Sequence, residues 1–113
     1  MPDRIRIIKA EGIWVVRAGG AVLAESRNAL ELIEGSLPPV IYIPRDDIGM
    51  AFLEPTETRT TCPFKGEARY FSIVTKSGRI EDAAWSYETP KDDAARIASY
   101  IAFYPSKVTL ERI

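Results

Sequence analysis

Along most of the chain, apolar and polar residues alternate in short runs broken by turn chemistry, which is the period of half-buried strands. Arg4-Ile5-Arg6-Ile7 alternates charge with isoleucine, Glu11-Gly12 interrupts it, and Ile13-Trp14-Val15-Val16-Arg17 follows as a β-branched and aromatic run. The two runs predict a hairpin. Gly19-Gly20 supplies the positive φ that a tight hairpin loop needs, so Ala21-Val22-Leu23-Ala24 extends the meander to a third antiparallel strand.

Farther on, Leu30, Leu32 and Ile33, within Ala29 to Glu34, fit either a short helix or a strand, with strand the preferred reading, and Gly35 and Pro38-Pro39 end the element. Val40-Ile41-Tyr42-Ile43 is the next strand and stops at Pro44, which has no N–H to give a ladder; Arg45-Asp46-Asp47 then begins a loop. Past Pro55 the pattern still favours sheet. Glu67 to Thr75 carries apolar residues on both faces, which predicts a central strand. Lys76-Ser77-Gly78 turns the chain into Ile80 to Tyr87, where Ala83, Trp85 and Tyr87 share a face.

One short C-terminal helix is expected, with Thr89 as N-cap, Pro90 at the first helical position, and Asp92 and Asp93 at the positive end of the dipole. Its end lies anywhere from Ser99 to Tyr104, and Val108 to Arg112 closes the chain as a last strand. The fold class is therefore mainly β.

At 113 residues the chain, 1–113, has room for one ordinary core and reads as a single domain. Its 15 basic and 16 acidic side chains nearly cancel, so no global field draws it to a phosphate backbone or an anionic bilayer, and neither nucleic acid nor membrane is an expected partner. The longest apolar stretch, Leu37 to Ile43, holds two prolines and is far short of the ~20 residues a spanning helix needs. Met1-Pro2-Asp3-Arg4-Ile5 lacks the layout of a secretory signal, and the single Cys62 suits a reducing compartment, so a cytoplasmic location is expected.

The absence of histidine from the sequence removes Ser-His-Asp and Cys-His catalysis and histidine metal sites, and one cysteine removes a multi-thiolate zinc site within one subunit. Any chemistry falls to carboxylates, Lys, Arg and Tyr. In Thr61-Cys62-Pro63-Phe64-Lys65-Gly66, Pro63 and Gly66 fix a tight loop; it either aims Lys65 at an anion or serves packing alone, with Cys62 and Phe64 beneath it. Cys62 as a nucleophile would need a cationic neighbour or a helix N-terminus, and only Lys65 is nearby in sequence. Arg45, just past a strand end, either clamps a phosphate or carboxylate through its planar fork or pairs with Asp46 or Asp47 at the surface. Trp85, Tyr87 and Tyr104 are either core or the wall of a pocket.

Five segments together resemble a known bacterial family: Ile41-Tyr42-Ile43-Pro44-Arg45-Asp46-Asp47, Leu53-Glu54-Pro55, Thr61-Cys62-Pro63-Phe64-Lys65-Gly66, Ala84-Trp85-Ser86-Tyr87 and Ala102-Phe103-Tyr104-Pro105. They are similar to DUF427, small proteins of unknown function sometimes labelled nucleotidyltransferase-like. The resemblance implies coiled antiparallel sheets comparable with β-tent or Mss4-like folds, although the paired cysteines of zinc-bearing members of those folds are missing here. Metal-dependent nucleotidyl transfer uses clustered carboxylates, typically Asp-x-Asp soon after a Gly-Gly or Gly-Ser turn, and Gly19-Gly20 is followed instead by Ala21-Val22-Leu23-Ala24-Glu25. Asp46, Asp47, Glu67 and Asp82 remain as carboxylates that such a site would have to gather.

The expectation is a domain that binds a small anionic molecule, with Arg45 and Lys65 supplying charge and Tyr42, Trp85, Tyr87 and Tyr104 lining the apolar part. No catalytic residue or metal ligand is assigned, and the cofactor is unknown. A Mg²⁺-dependent nucleotidyltransferase-like enzyme is one alternative. A protein-interaction module with an open sheet edge is another, and either a monomer or a homodimer is compatible with the sequence.

Overall fold

The computed structural model describes residues 5–113, so Arg4, which the pattern placed in the first strand, lies outside the described residues. Ten strands are described: β1 (Ile5–Lys9), β2 (Trp14–Ala18), β3 (Ala21–Ser26), β4 (Leu30–Glu34), β5 (Val40–Ile43), β6 (Leu53–Cys62), β7 (Gly66–Thr75), β8 (Gly78–Tyr87), β9 (Ile101–Phe103) and β10 (Thr109–Arg112). They form two antiparallel sheets, one of seven strands in the order β1-β4-β5-β9-β8-β7-β6 and one of three in the order β10-β2-β3. The mainly β expectation holds.

Gly19 and Gly20 both take positive φ and join β2 to β3 as expected. The first predicted hairpin does not form. β1 pairs with β4, Ile7 opposite Leu32, while β2 pairs with β3 and β10 in the smaller sheet. Alternation gives each strand a buried face but names no partner, and Gly12 at φ +94 carries the chain from one sheet to the other. β7 is interior but one strand in from the edge rather than central, because β6, polar along most of its length, supplies the edge.

In place of an α-helix from Thr89, the chain makes a 3₁₀ segment over Asp92–Ile97 with Lys91 in the cap position and no side-chain cap. Ala94 and Ile97 are both buried and three residues apart, which suits the three-residue turn of a 3₁₀ helix. Ser99, at φ +67, then donates its N–H to the carbonyl of Tyr87 and turns the chain into β9. No described helix is long and apolar enough to cross a membrane.

The seven-stranded sheet has two unlike faces. On one, Ile43, Phe71, Ile73, Ala84, Ile101 and Phe103 pack against Val16, Leu23 and Ala24 of the smaller sheet. On the other, Leu30, Tyr42, Ala102, Trp85 and Tyr70 form a cross-strand row over five strands, each directly opposite the next. This second face is covered in part by Ala94 and Ile97 of the 3₁₀ segment. What it leaves uncovered is the cavity described next.

Candidate functional site

Period-two alternation fixes which side chains reach the second face. Trp85 and Tyr87 of β8 stand on it and Ser86 between them points to the opposite one. Leu32 and Glu34 of β4 and Tyr42 of β5 join them, and the Tyr104-Pro105 segment after β9 and the turn after β4, carrying Leu37, Pro38 and Pro39, complete the walls. The cavity they enclose has a volume of about 460 Å³. The Trp85 ring meets Tyr104 at 4.5 Å between centroids and Tyr42 edge-on at 6.4 Å, and the Trp85 indole N–H donates to the Tyr42 hydroxyl at 3.3 Å.

Burial pushes the phenols of Tyr42 and Tyr87 up, and Tyr104 is pushed up to about 12, by burial first and the neighbouring Tyr70 second. All three remain protonated hydroxyls at neutral pH, so the aromatic walls are neutral. Charge enters through Lys65 and Glu34. The hairpin loop between β6 and β7 is tied down by the Lys91 N–H donating to the Lys65 carbonyl at 2.9 Å, and Gly66 sits at φ +111, as the Pro63/Gly66 pattern foretold. Held in this way, the Lys65 ammonium pairs with Glu34 at 2.5 Å, the two side chains 12% and 15% exposed. Phe64, at the tip of the same loop, is exposed rather than packed beneath it, and Cys62 is half-buried.

Of the six residues singled out in the sequence, Tyr42, Lys65, Trp85, Tyr87 and Tyr104 line this one cavity. Arg45 does not join them. Its guanidinium pairs with Glu88, donates to the Ser99 carbonyl at 2.7 Å and to the buried Ser86 hydroxyl at 3.3 Å, and lies over the Phe71 ring. Ser86 and Phe71 belong to the face opposite Trp85 and Tyr87, so Arg45 braces the other side of the sheet. Glu34 and Tyr70 are the polar members that motif reading passed over. Glu34 had a signal: Leu30, Leu32 and Glu34 alternate onto one face, and a carboxylate closing an apolar face is a misfit that asks for a partner.

The four carboxylates considered for metal-dependent transfer fall in three places: Asp46 and Asp47 are adjacent in the 3₁₀ turn Arg45–Asp47, Glu67 is on β7 and Asp82 on β8. Asp47 accepts from the Ser26 hydroxyl at 2.6 Å, Asp82 accepts from Thr56 and Thr58 at 2.7 Å each, and Asp46 and Glu67 are exposed on different elements. The Thr58 and Thr56 hydroxyls hold the Asp82 carboxyl below its usual range. Among the described residues, no three of His, Cys, Asp and Glu come together as a metal site would require.

No curated protein matches the chain significantly. The sequence profile of a family described as a domain of unknown function, DUF427, matches residues 6–113. That match takes in both sheets except for the first residue of β1, together with every residue of the cavity, and the chain therefore belongs to the DUF427 family.

Proposed function

We propose that this protein is a binding domain for a small molecule with a flat apolar ring and one polar end. The ring lies among Tyr42, Trp85, Tyr87 and Tyr104, and the polar end meets the Lys65–Glu34 pair. The observation that supports this most is the pair itself. An ion pair taken out of water is a poor device for stability, since desolvation offsets most of the attraction, so a pair facing an aromatic cavity is better explained as a recognition element. With Arg45 engaged elsewhere, the polar end finds both signs of charge. An anionic group fits by taking Lys65 from Glu34, and a group bearing donor and acceptor fits by contacting both. Mg²⁺-dependent nucleotidyl transfer has less in its favour, because Asp47 and Asp82 are each engaged by hydroxyls in separate networks.

The test uses Trp14→Phe protein, which leaves Trp85 as the one indole. Titration with a panel of aromatic acids, amides and amines is expected to change Trp85 emission saturably for at least one class. Leu37, 60% exposed at the cavity wall, is a site where Leu37→Glu weakens that binding without altering the melting temperature. If no class changes either emission or melting temperature, the binding reading fails.

A further inference from the structure

A second cavity, also about 460 Å³, adjoins the first, and Tyr70 and Tyr104 line both. Its chemistry is the reverse of its neighbour's. Its remaining walls are Thr58, Thr60, Ser106, Asp82 and Lys107, three hydroxyls with one carboxylate and one ammonium. Resting on the binding reading above, we infer that this groove holds a neutral, hydroxyl-rich substituent, of the kind a sugar provides, on the ring that occupies the aromatic cavity.

Three observations carry this. The first is continuity: a ligand that passes the two shared phenols reaches from one cavity into the other, and Tyr70 is already hydrogen-bonded at its hydroxyl to Thr60 at 2.9 Å. The second is the matching of donors to acceptors. A sugar hydroxyl both gives and takes hydrogen bonds, and the groove offers an acceptor in Asp82, a donor in Lys107 and groups of either kind in Thr60, Ser106 and Tyr70. A phosphate would put its charge against Asp82, and a cation would put its charge against Lys107. Lys107 gives two of its three N–H donors to the carbonyls of Glu81 and Asp82, at 2.8 and 3.4 Å, which fixes the ammonium and leaves one donor for a sugar hydroxyl.

The third is the care with which Asp82 is placed. It stands at φ +45 inside a strand, at a register shift of β8 against β7, with its N–H on the Ser72 hydroxyl and one carboxylate oxygen on each of Thr56 and Thr58. A non-glycine residue in the left-handed region is strained, and a bulge commonly re-aims a side chain next to a site. Asp82 thus keeps a strained backbone whose result is a carboxylate held in the groove.

The experiment compares 4-nitrophenol, 4-nitrophenyl β-glucoside and 4-nitrophenyl phosphate by calorimetry and by amide chemical shifts. The glucoside is expected to bind at least tenfold more tightly than the phenol, with new shifts at Thr58, Thr60, Ser106 and Lys107. Asp82→Asn, which tolerates the left-handed backbone, and Lys107→Met should each cut that gain to less than threefold and leave the phenol's affinity unchanged. A phenol that binds while the glucoside gains nothing overturns the second subsite and leaves the aromatic cavity standing. A phosphate ester that binds more tightly than the glucoside overturns the neutral substituent. If none of the three binds, the inference falls together with the reading it rests on.

Discussion

Two cation–carboxylate pairs sit on opposite faces of one sheet and do different things. Arg45–Glu88 is the more exposed, at 33% and 29%, and its guanidinium also reaches Ser86, Ser99 and the Phe71 ring, so it ties the end of β5 to β8 and to the approach to β9. Lys65–Glu34 is less exposed, and the ammonium has no other hydrogen bond among the described residues. A pair with many further contacts is a brace, whereas a deeper pair with none, facing a cavity, has bonding capacity left for a ligand. Burial alone would have ranked them the other way as structural elements.

Removing the brace should have the largest effect on stability. Arg45→Ala leaves Glu88 and the Ser99 carbonyl without their donor and is expected to cost about 2–3 kcal/mol in urea unfolding. Arg45→Lys, which keeps the charge but loses the fork, should recover less than half of this while leaving affinity in the aromatic cavity unchanged. A ligand affinity that fell in step with Arg45 substitution would erase the distinction between the two pairs.

The deeper pair should respond in the opposite sense. Replacing both members with apolar residues of similar size, Glu34→Leu with Lys65→Met, is expected to shift stability by no more than about 1 kcal/mol in either direction, because desolvation no longer has to be offset. Ligand affinity should fall at least tenfold in the same protein. A large loss of stability would show that this pair is a brace as well.

Alkaline pH separates the faces more gently. A phenol whose folded pKa is raised contributes stability that is complete below its unfolded value and is lost as pH climbs through the folded one. Tyr104 should therefore weaken the fold between its ordinary 10.0 and about 12, and Tyr42 and Tyr87, raised by burial, should continue the loss above that. Phenolate absorbance of the folded protein should lag that of the urea-unfolded chain across this range, with the melting temperature falling in parallel. A bound ring that shields the phenols should delay both. The smallest effect belongs to Leu37→Glu at the cavity wall, expected to weaken an apolar ligand about threefold with no measurable change in folding free energy, as is usual for an exposed position.

Much of the site was written in the sequence because aromatic residues and alternation specify a face. Trp85 and Tyr87 share one face by spacing, and Pro63 with Gly66 fixes the loop that delivers Lys65. Facing across a strand end is less legible. Tyr42 and Arg45 are close in the chain, yet Pro44 and the 3₁₀ turn of Arg45–Asp47 intervene, and after such a turn the alternation no longer says which side of the sheet Arg45 meets. The strands joined by tight turns, β2 with β3 and β7 with β8, were paired correctly for the same local reason. β1 with β4 was not, since its partner is chosen by burial of Ile5 and Ile7 against Leu32 and their neighbours rather than by any turn. Past Pro55 the pattern favours sheet without marking out β6 as a strand, because its Thr, Glu and Arg residues lack an apolar face and Pro55 argues against a ladder.

The two-residue seam between β5 and β9, where Tyr42 meets Ala102 and Ile43 meets Ile101, also sets a timetable. β6, β7 and β8 are joined by hairpins and can form from neighbouring residues, but the seam must close a loop spanning roughly half the chain, an entropic cost that non-local pairings meet late. Glu34 and Tyr42 lie on one side of that seam, and Lys65, Tyr70, Trp85 and Tyr87 on the other. The cavity therefore does not exist in a half-formed sheet. On the proposed binding function, a ligand of this cavity should recognise only molecules that have completed folding, which makes ligand capture during refolding a clock for the final step.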